Sequence, residues 1–153
     1  MNHDSYDDAY IRDVLNAART IAMVGASDNW NRPSFFAMKY LQKKGYRVIP
    51  VNPRATEPDI LGEAVVKELR DLPAPVEMVD IFRNAEAAGA ITDEAIALAP
   101  EKGFKVIWMQ LGVRNDEAAR RAEAAGLRVV MNRCPKIEYA RLNGELSWNG
   151  FNS

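Results

Sequence analysis

The sequence predicts an α/β fold: a Rossmann-like doubly wound sheet of about five parallel strands, with helices on both faces in three αβα layers. Three observations predict it. Short apolar runs alternate with longer helix-patterned segments from end to end of the chain. Those runs are continuously apolar, as in strands buried on both faces. The 153 residues, 48% of them hydrophobic, fit one domain of ordinary size, taken as residues 1–153.

The elements follow in order. Asp4 to Arg19 opens with acidic residues and spaces Tyr10, Ile11, Val14, Leu15 and Ala18 as a helix does, giving an N-terminal helix within residues 1–19. Thr20 to Val24 is the first strand and ends at Gly25. Ser34 to Lys44 is a helix stopped by Gly45, and Arg47 to Val51 is a strand halted by Asn52-Pro53. From Arg54 to Pro75 the prolines predict irregular chain, with a short helix around Val66 to Leu69. Val76 to Phe82 is the third strand. Asn84 caps a helix that Pro100 ends near Ala99. Lys105 to Met109 is the fourth strand, Asp116 to Ala125 a helix capped by Asn115, Leu127 to Met131 the fifth strand, and Pro135 to Leu142 the last helix. Residues 143–153 are read as an irregular tail from which Leu146, Trp148 and Phe151 could pack onto the body.

Composition narrows the function classes. Lys plus Arg total 20 against 21 Asp plus Glu, a net charge of -1 that argues against nucleic-acid binding. No apolar run approaches the roughly 20 residues that span a bilayer, and residues 1–8 lack signal-peptide character. The single cysteine, Cys134, fits a reducing compartment, so a cytoplasmic location with no membrane partner is expected. The only histidine, His3, stands in a polar N-terminal stretch, and no Walker motif, nucleophile elbow or metal-spaced cluster is present. Asp80, Glu86, Glu117 and Glu138 read as ordinary helix and strand-end residues, Trp108 and the Met23/Met38 pair as core. The charged run Arg114 to Glu123 reads as a solvated helix face with i,i+4 pairs. No catalytic residue is assigned.

Ligands of doubly wound sheets lie beyond the carboxyl ends of the strands. Here those ends carry Gly25-Ala26-Ser27, Asn52-Pro53-Arg54, Phe82-Arg83, Gln110-Leu111-Gly112 and Asn132-Arg133-Cys134. The first turn keeps one glycine of the dinucleotide fingerprint, Ser27 stands where the second would be, and Asn52 stands where an acid would grip a ribose. Both weaken an NAD reading. Arg54 points instead to a terminal phosphate, that of NADP or of coenzyme A, and Arg32 beside a helix N-terminus makes an anion site.

The runs Val24 to Ser27, Arg32-Pro33-Ser34, Gly45 to Pro53, Val79 to Arg83, Trp108 to Gly112 and Asn132 to Lys136 together resemble the small stand-alone CoA-binding domain proteins. These are in turn similar to the N-terminal domain of the succinyl-CoA synthetase alpha subunit. The resemblance implies that Gly25, Ala26, Ser27, Arg32, Pro33, Ser34, Asn52, Pro53 and Arg54 hold the ADP part of coenzyme A. It implies that Phe82, Arg83, Gln110 and Gly112 border the pantetheine arm. Asn132 departs from the aspartate that the resemblance leads one to expect before Arg133. Cys134, between Arg133 and Lys136, is counted with the cofactor-binding residues, since at the pantetheine end it could form a mixed disulfide with CoA, although a lone cysteine is more commonly a small buried hydrophobe. The function expected is binding of CoA or acyl-CoA by a non-catalytic or regulatory module. The alternatives are an NADP-dependent oxidoreductase and a protein-interaction subunit without a ligand.

Overall fold

The computed structural model describes residues 1–144, 146–147 and 150–151. Strands β1 (Thr20–Val24), β2 (Arg47–Val51), β5 (Met78–Ile81), β6 (Val106–Met109) and β7 (Arg128–Val130) form one parallel sheet in the order β2-β1-β5-β6-β7. Side-chain alternation divides the core into two layers. Ile21, Met23, Val48, Met78, Trp108 and Val130 pack under α1 (Asp8–Ala17), α2 (Pro33–Lys43) and α5 (Pro135–Leu142). Ala22, Val24, Ile49, Val79, Ile107 and Val129 pack under α3 (Ala85–Lys102) and α4 (Asp116–Ala124). This is the doubly wound αβα architecture expected. The chain leaves β1 for β2 on one side and then crosses to β5 on the other, so the topological switch point lies between β1 and β5.

Several expectations are corrected. Pro100 does not end the third helix, which runs on to Lys102. A proline in the last turn removes only one backbone donor, and the stop is Gly103, whose φ of 84° is the left-handed cap conformation. Lys102 Nζ also donates to the Leu72 carbonyl at 2.7 Å and anchors that turn. The region after Asn52 contains a small hairpin, β3 (Asp59–Ile60) with β4 (Glu63–Ala64). Val66 is not helical: it bridges in parallel to Val51, and the helical turn is a 3₁₀ segment at Leu69–Asp71. The tail is not wholly irregular, since β8 (Leu146–Ser147) pairs antiparallel with β9 (Gly150–Phe151). Two-residue strands are too short for alternation to signal. Trp148 lies outside the described residues.

The N-terminal helix starts at Asp8 rather than Asp4, because the residues before it serve the edge strand β7. Tyr10 Oη donates to the Val129 carbonyl at 2.8 Å and accepts from the Val129 N–H at 3.2 Å. Tyr6 Oη accepts from the Met131 N–H at 2.9 Å and lies 2.7 Å from Nδ1 of His3. His3 is buried, with Nε2 3.2 Å from Glu123, so it is not part of a solvated tail. Burial raises the pKa of both tyrosines and keeps them protonated donors. Two hydroxyls thus occupy backbone groups that an open sheet edge would expose. Tyr10→Phe is expected to lower stability by about 1–2 kcal/mol, read as a lower urea midpoint, and an unchanged midpoint would refute this role.

The pairs of the Arg114–Glu123 run also differ from the i,i+4 expectation. Arg114 binds Asp4 and Asp116, each within 2.8 Å, Arg121 binds Asp93 of α3, and Glu123 meets His3. They fasten α4 to its neighbours.

Candidate functional site

Gly25 stands at the switch point with φ of 85°, a conformation that favours glycine. A Cβ there would lie 2.6 Å from the Phe82 carbonyl oxygen and 3.0 Å from Arg83 Cδ. The glycine therefore lets the turn after β1 press against the end of β5 and gives the Arg83 stem room to cross it. Gly25 N–H donates to the Val51 carbonyl at 2.9 Å, and Phe82 N–H to the Val24 carbonyl at 2.8 Å, so the turn is held from both neighbouring strands.

The second fingerprint position, Ser27, donates its N–H to Oγ of the buried Ser34 at 3.1 Å. Asn52 takes the acid's place for a local reason. Its Nδ2 donates to the Ala26 carbonyl at 2.8 Å and its Oδ1 accepts from Arg54 N–H at 2.9 Å. One side chain so ties the glycine turn to the loop after β2.

Gly25, Ser27, Arg32, Pro33, Ser34, Asn52 and Phe82 line one cleft of about 310 Å³. Helix α2 begins at its rim, with Arg32 at the N-cap, Pro33 at the first helical position and no side-chain cap. By contrast, Asn84 and Asn115 cap α3 and α4 with their side chains. The positive end of α2 therefore faces this cleft beside a guanidinium, and no carboxylate lines it. A second cleft of about 540 Å³ shares Pro33 and Phe82 with the first, and adds Arg83, Asn84, Gln110, Leu111 and Val113. A third, of about 240 Å³, shares Asn52 and extends along Ala55 to Pro58, with Val65 and Lys67. The shared residues set the three clefts side by side along the carboxyl edge of the sheet. Among the described residues, Arg32, Arg54 and Arg83 have no ion-pair partner.

Other expected site residues sit around this row. Ala26 is buried in the core layer below, and Pro53 and Arg54 are exposed beside Asn52. Gly112 lies in the turn after β6, where its N–H donates to Asn132 Oδ1 at 2.7 Å. Asn132 itself has φ of 58°, which asparagine tolerates well. Cys134 is the half-buried N-cap of α5 and lines none of these clefts.

Asp80 was missed as anything but an ordinary strand-end residue. It is fully buried on β5, in register with Met23 and Trp108, and neither carboxyl oxygen has a hydrogen-bond partner. Desolvation raises its pKa well above the usual carboxylate range. The signal was present in the sequence as one acid inside an apolar run predicted to be buried on both faces. Gln110 Oε1 is likewise buried without a donor. Among the described residues no group of acids, histidines and cysteine could hold a metal ion, and no helix is long and apolar enough to cross a membrane.

Comparison with known proteins gives the same fold and a family. YneT of Bacillus subtilis (strain 168) is 34% identical over 132 residues, which cover 86% of this chain and 93% of YneT. A protein from Pyrococcus horikoshii OT3 superposes with a TM-score of 0.84 at 38% identity, over 94% of this chain and 97% of that one. The dinucleotide forming acetyl-coenzyme A synthetase 1 of Ca. Korarchaeum cryptofilum shares the fold at a TM-score of 0.61 and 23% identity, over 74% of this chain and 26% of that one. The family model described as a CoA binding domain matches residues 19–140, from just before β1 into α5 and so across every strand that borders the clefts, and the chain belongs to that family.

Proposed function

We propose that the chain binds coenzyme A along the row of clefts at the carboxyl ends of the strands, as a binding or regulatory module. The observation that carries this reading is the first cleft. There a glycine turn, the uncapped positive end of α2 and Arg32 converge without a carboxylate, as a diphosphate requires. Coenzyme A bears a diphosphate and a 3′-phosphate, and the unpaired Arg32, Arg54 and Arg83 match that charge in kind. Arg54, held beside the first cleft by its N–H bond to Asn52, reads the 3′-phosphate. The pantetheine arm follows the second cleft past Phe82, along Gln110 and Leu111. Membership of a CoA binding domain family supports the same assignment. In that bound state the residues bind and orient, and no proton or group transfer is assigned to them.

Calorimetric titration with CoA, dephospho-CoA, NADP and NAD tests the proposal, with CoA expected to bind most tightly. Arg54→Ala is expected to weaken CoA by about 10- to 100-fold and to leave dephospho-CoA nearly unaffected. Tighter binding of NADP than of CoA would overturn the ligand assignment, and equal losses for CoA and dephospho-CoA would remove Arg54 from the 3′-phosphate.

A further inference from the structure

We infer that Asn132 is a positioning residue for the second cleft: its side chain holds the turn that walls the pantetheine arm, and so sets how much the arm adds to the affinity for CoA. This rests on the CoA reading above and adds a residue that itself lines none of the three clefts.

Gln110 to Val113 form a tight turn at the end of β6. Val113 N–H donates to the Gln110 carbonyl at 2.8 Å, and Gly112, with φ of 87°, takes the corner that needs a left-handed residue. The foot of the turn is anchored to β5, since Gln110 N–H donates to the Ile81 carbonyl at 3.1 Å. The tip depends on Asn132. Among the described residues, Leu111-Gly112 has one hydrogen bond to the rest of the chain, from Gly112 N–H to Asn132 Oδ1 at 2.7 Å. Asn132 N–H also donates to the Val113 carbonyl at 3.0 Å, so one residue grips the turn with both side chain and backbone. Gln110, Leu111 and Val113 line the second cleft, and Leu111 is held exposed there. Where Asn132 stands therefore fixes where that wall stands.

Asn132 is itself held from both sides. Its φ of 58° is a left-handed conformation, of the kind that persists where the surroundings enforce it and that collects at functional sites. Before it, Met131 N–H donates to Tyr6 Oη at 2.9 Å. After it, the Arg133 carbonyl accepts from Nε1 of the buried Trp108 at 2.8 Å. The Arg133 guanidinium donates to the Asn132 carbonyl at 2.8 Å and lies over the Tyr6 ring, 5.0 Å from its centroid. A short side chain between two such neighbours presents its oxygen to Gly112 from a fixed base. The bond uses only that acceptor oxygen. Aspartate, which the resemblance leads one to expect here, would accept from Gly112 as well, whereas glycine would keep the left-handed backbone and lose the bond. These two substitutions separate the hydrogen bond from the backbone conformation.

The test is calorimetric titration of the whole chain, wild type, Asn132→Gly and Asn132→Asp, with CoA and with adenosine 3′-phosphate 5′-diphosphate, which carries the phosphates of CoA without the arm. Asn132→Gly is expected to weaken CoA by about three- to tenfold, as for one neutral hydrogen bond, and to change the arm-free nucleotide by less than about twofold. Asn132→Asp is expected to keep CoA affinity within about twofold of wild type. Amide exchange without ligand reads the contact directly: the Gly112 N–H should lose protection in Asn132→Gly and keep it in Asn132→Asp. Equal losses for the two ligands in Asn132→Gly, or no loss for either, overturn the inference while leaving CoA binding in place. So does a wild type that binds the nucleotide as tightly as CoA, since the arm then gains nothing from the cleft. A loss in Asn132→Asp as large as that in Asn132→Gly overturns it too, because the acceptor oxygen is then not the cause. Failure of the wild type to bind either ligand overturns the CoA reading itself.

Discussion

Gly25→Ala is expected to destabilise the protein by about 2–5 kcal/mol and to abolish measurable ligand binding. The loss has two parts. The backbone at this position has φ of 85°, which costs a residue with a side chain about 1–2 kcal/mol. The new methyl would then stand 2.6 Å from the Phe82 carbonyl oxygen and 3.2 Å from its carbon, and backbone cannot yield as a flexible side-chain tip does. Relief requires the turn to lift off β5 at the switch point, adding an overpacking cost of about 1–3 kcal/mol. For a chain of 153 residues the sum corresponds to a melting temperature lower by about 10 °C. Lifting the turn also moves Ser27 off Ser34 and displaces the Arg83 stem, so the first cleft loses its shape together with its stability. Thermal unfolding and titration with CoA read the two effects. A melting temperature within a degree or two of wild type would show that the turn relaxes freely and that the close approach to Phe82 has no consequence.

One glycine suffices here for physical reasons. In the full fingerprint the third glycine lets the helix press on the strand. In this chain α2 does not begin until Pro33, and it meets the turn through Ser34 rather than at a glycine. The second position needs no glycine because Ser27 directs its N–H to Ser34, inside the fold. The acid after the second strand is absent because Asn52 is engaged with Ala26 and Arg54. What reads in the sequence as an incomplete dinucleotide motif is a complete turn with other supports.

How far the sequence could be read depended on the range of the contact that shaped each part. β1 and β2 were legible to the residue, and α5 likewise, because a continuous apolar run or a proline start is written in consecutive positions. The clefts were legible in outline because the strand ends alone locate them in a doubly wound sheet. The N-terminal stretch was not, since His3 and Tyr6 find Glu123 and Met131 more than a hundred positions away. Pro100 misled because its local effect is strong while the decisive stop, Gly103, depends on where the chain turns next. Nor could any local pattern foretell that Leu111 would be held outside the core, since its turn is tied to Asn132 from the next strand.

Asp80→Asn is expected to abolish a pH dependence of stability that the wild type carries above the ordinary carboxylate pKa. Asp80 sits in the α1/α2/α5 layer with no partner for either oxygen, and burial alone raises its pKa well above the ordinary value of 3.8. The folded state therefore holds the neutral acid over a range where the unfolded chain has released the proton. In that window the native state binds more protons than the unfolded one, so unfolding free energy falls as pH rises. The slope is about 1.4 kcal/mol per pH unit, beginning near the unfolded value and ending at the raised folded one. Stability from this group is thus greatest in acid and is lost as pH rises through the raised folded pKa, the reverse of a salt-bridged carboxylate such as Asp116, whose pKa Arg114 lowers. Asparagine keeps the shape of the neutral acid without the proton equilibrium. The difference between wild type and Asp80→Asn isolates this group from the other carboxylates, and it should shift steadily in favour of the variant as pH rises. Urea titrations of both proteins at a series of pH values from about 4 to 8 measure it. A difference constant across that range would mean that Asp80 ionises freely in the folded protein and that water reaches it. A difference that grows with pH would establish an acid held neutral on the strand next to the glycine turn, two residues before the Phe82 that joins the two main clefts.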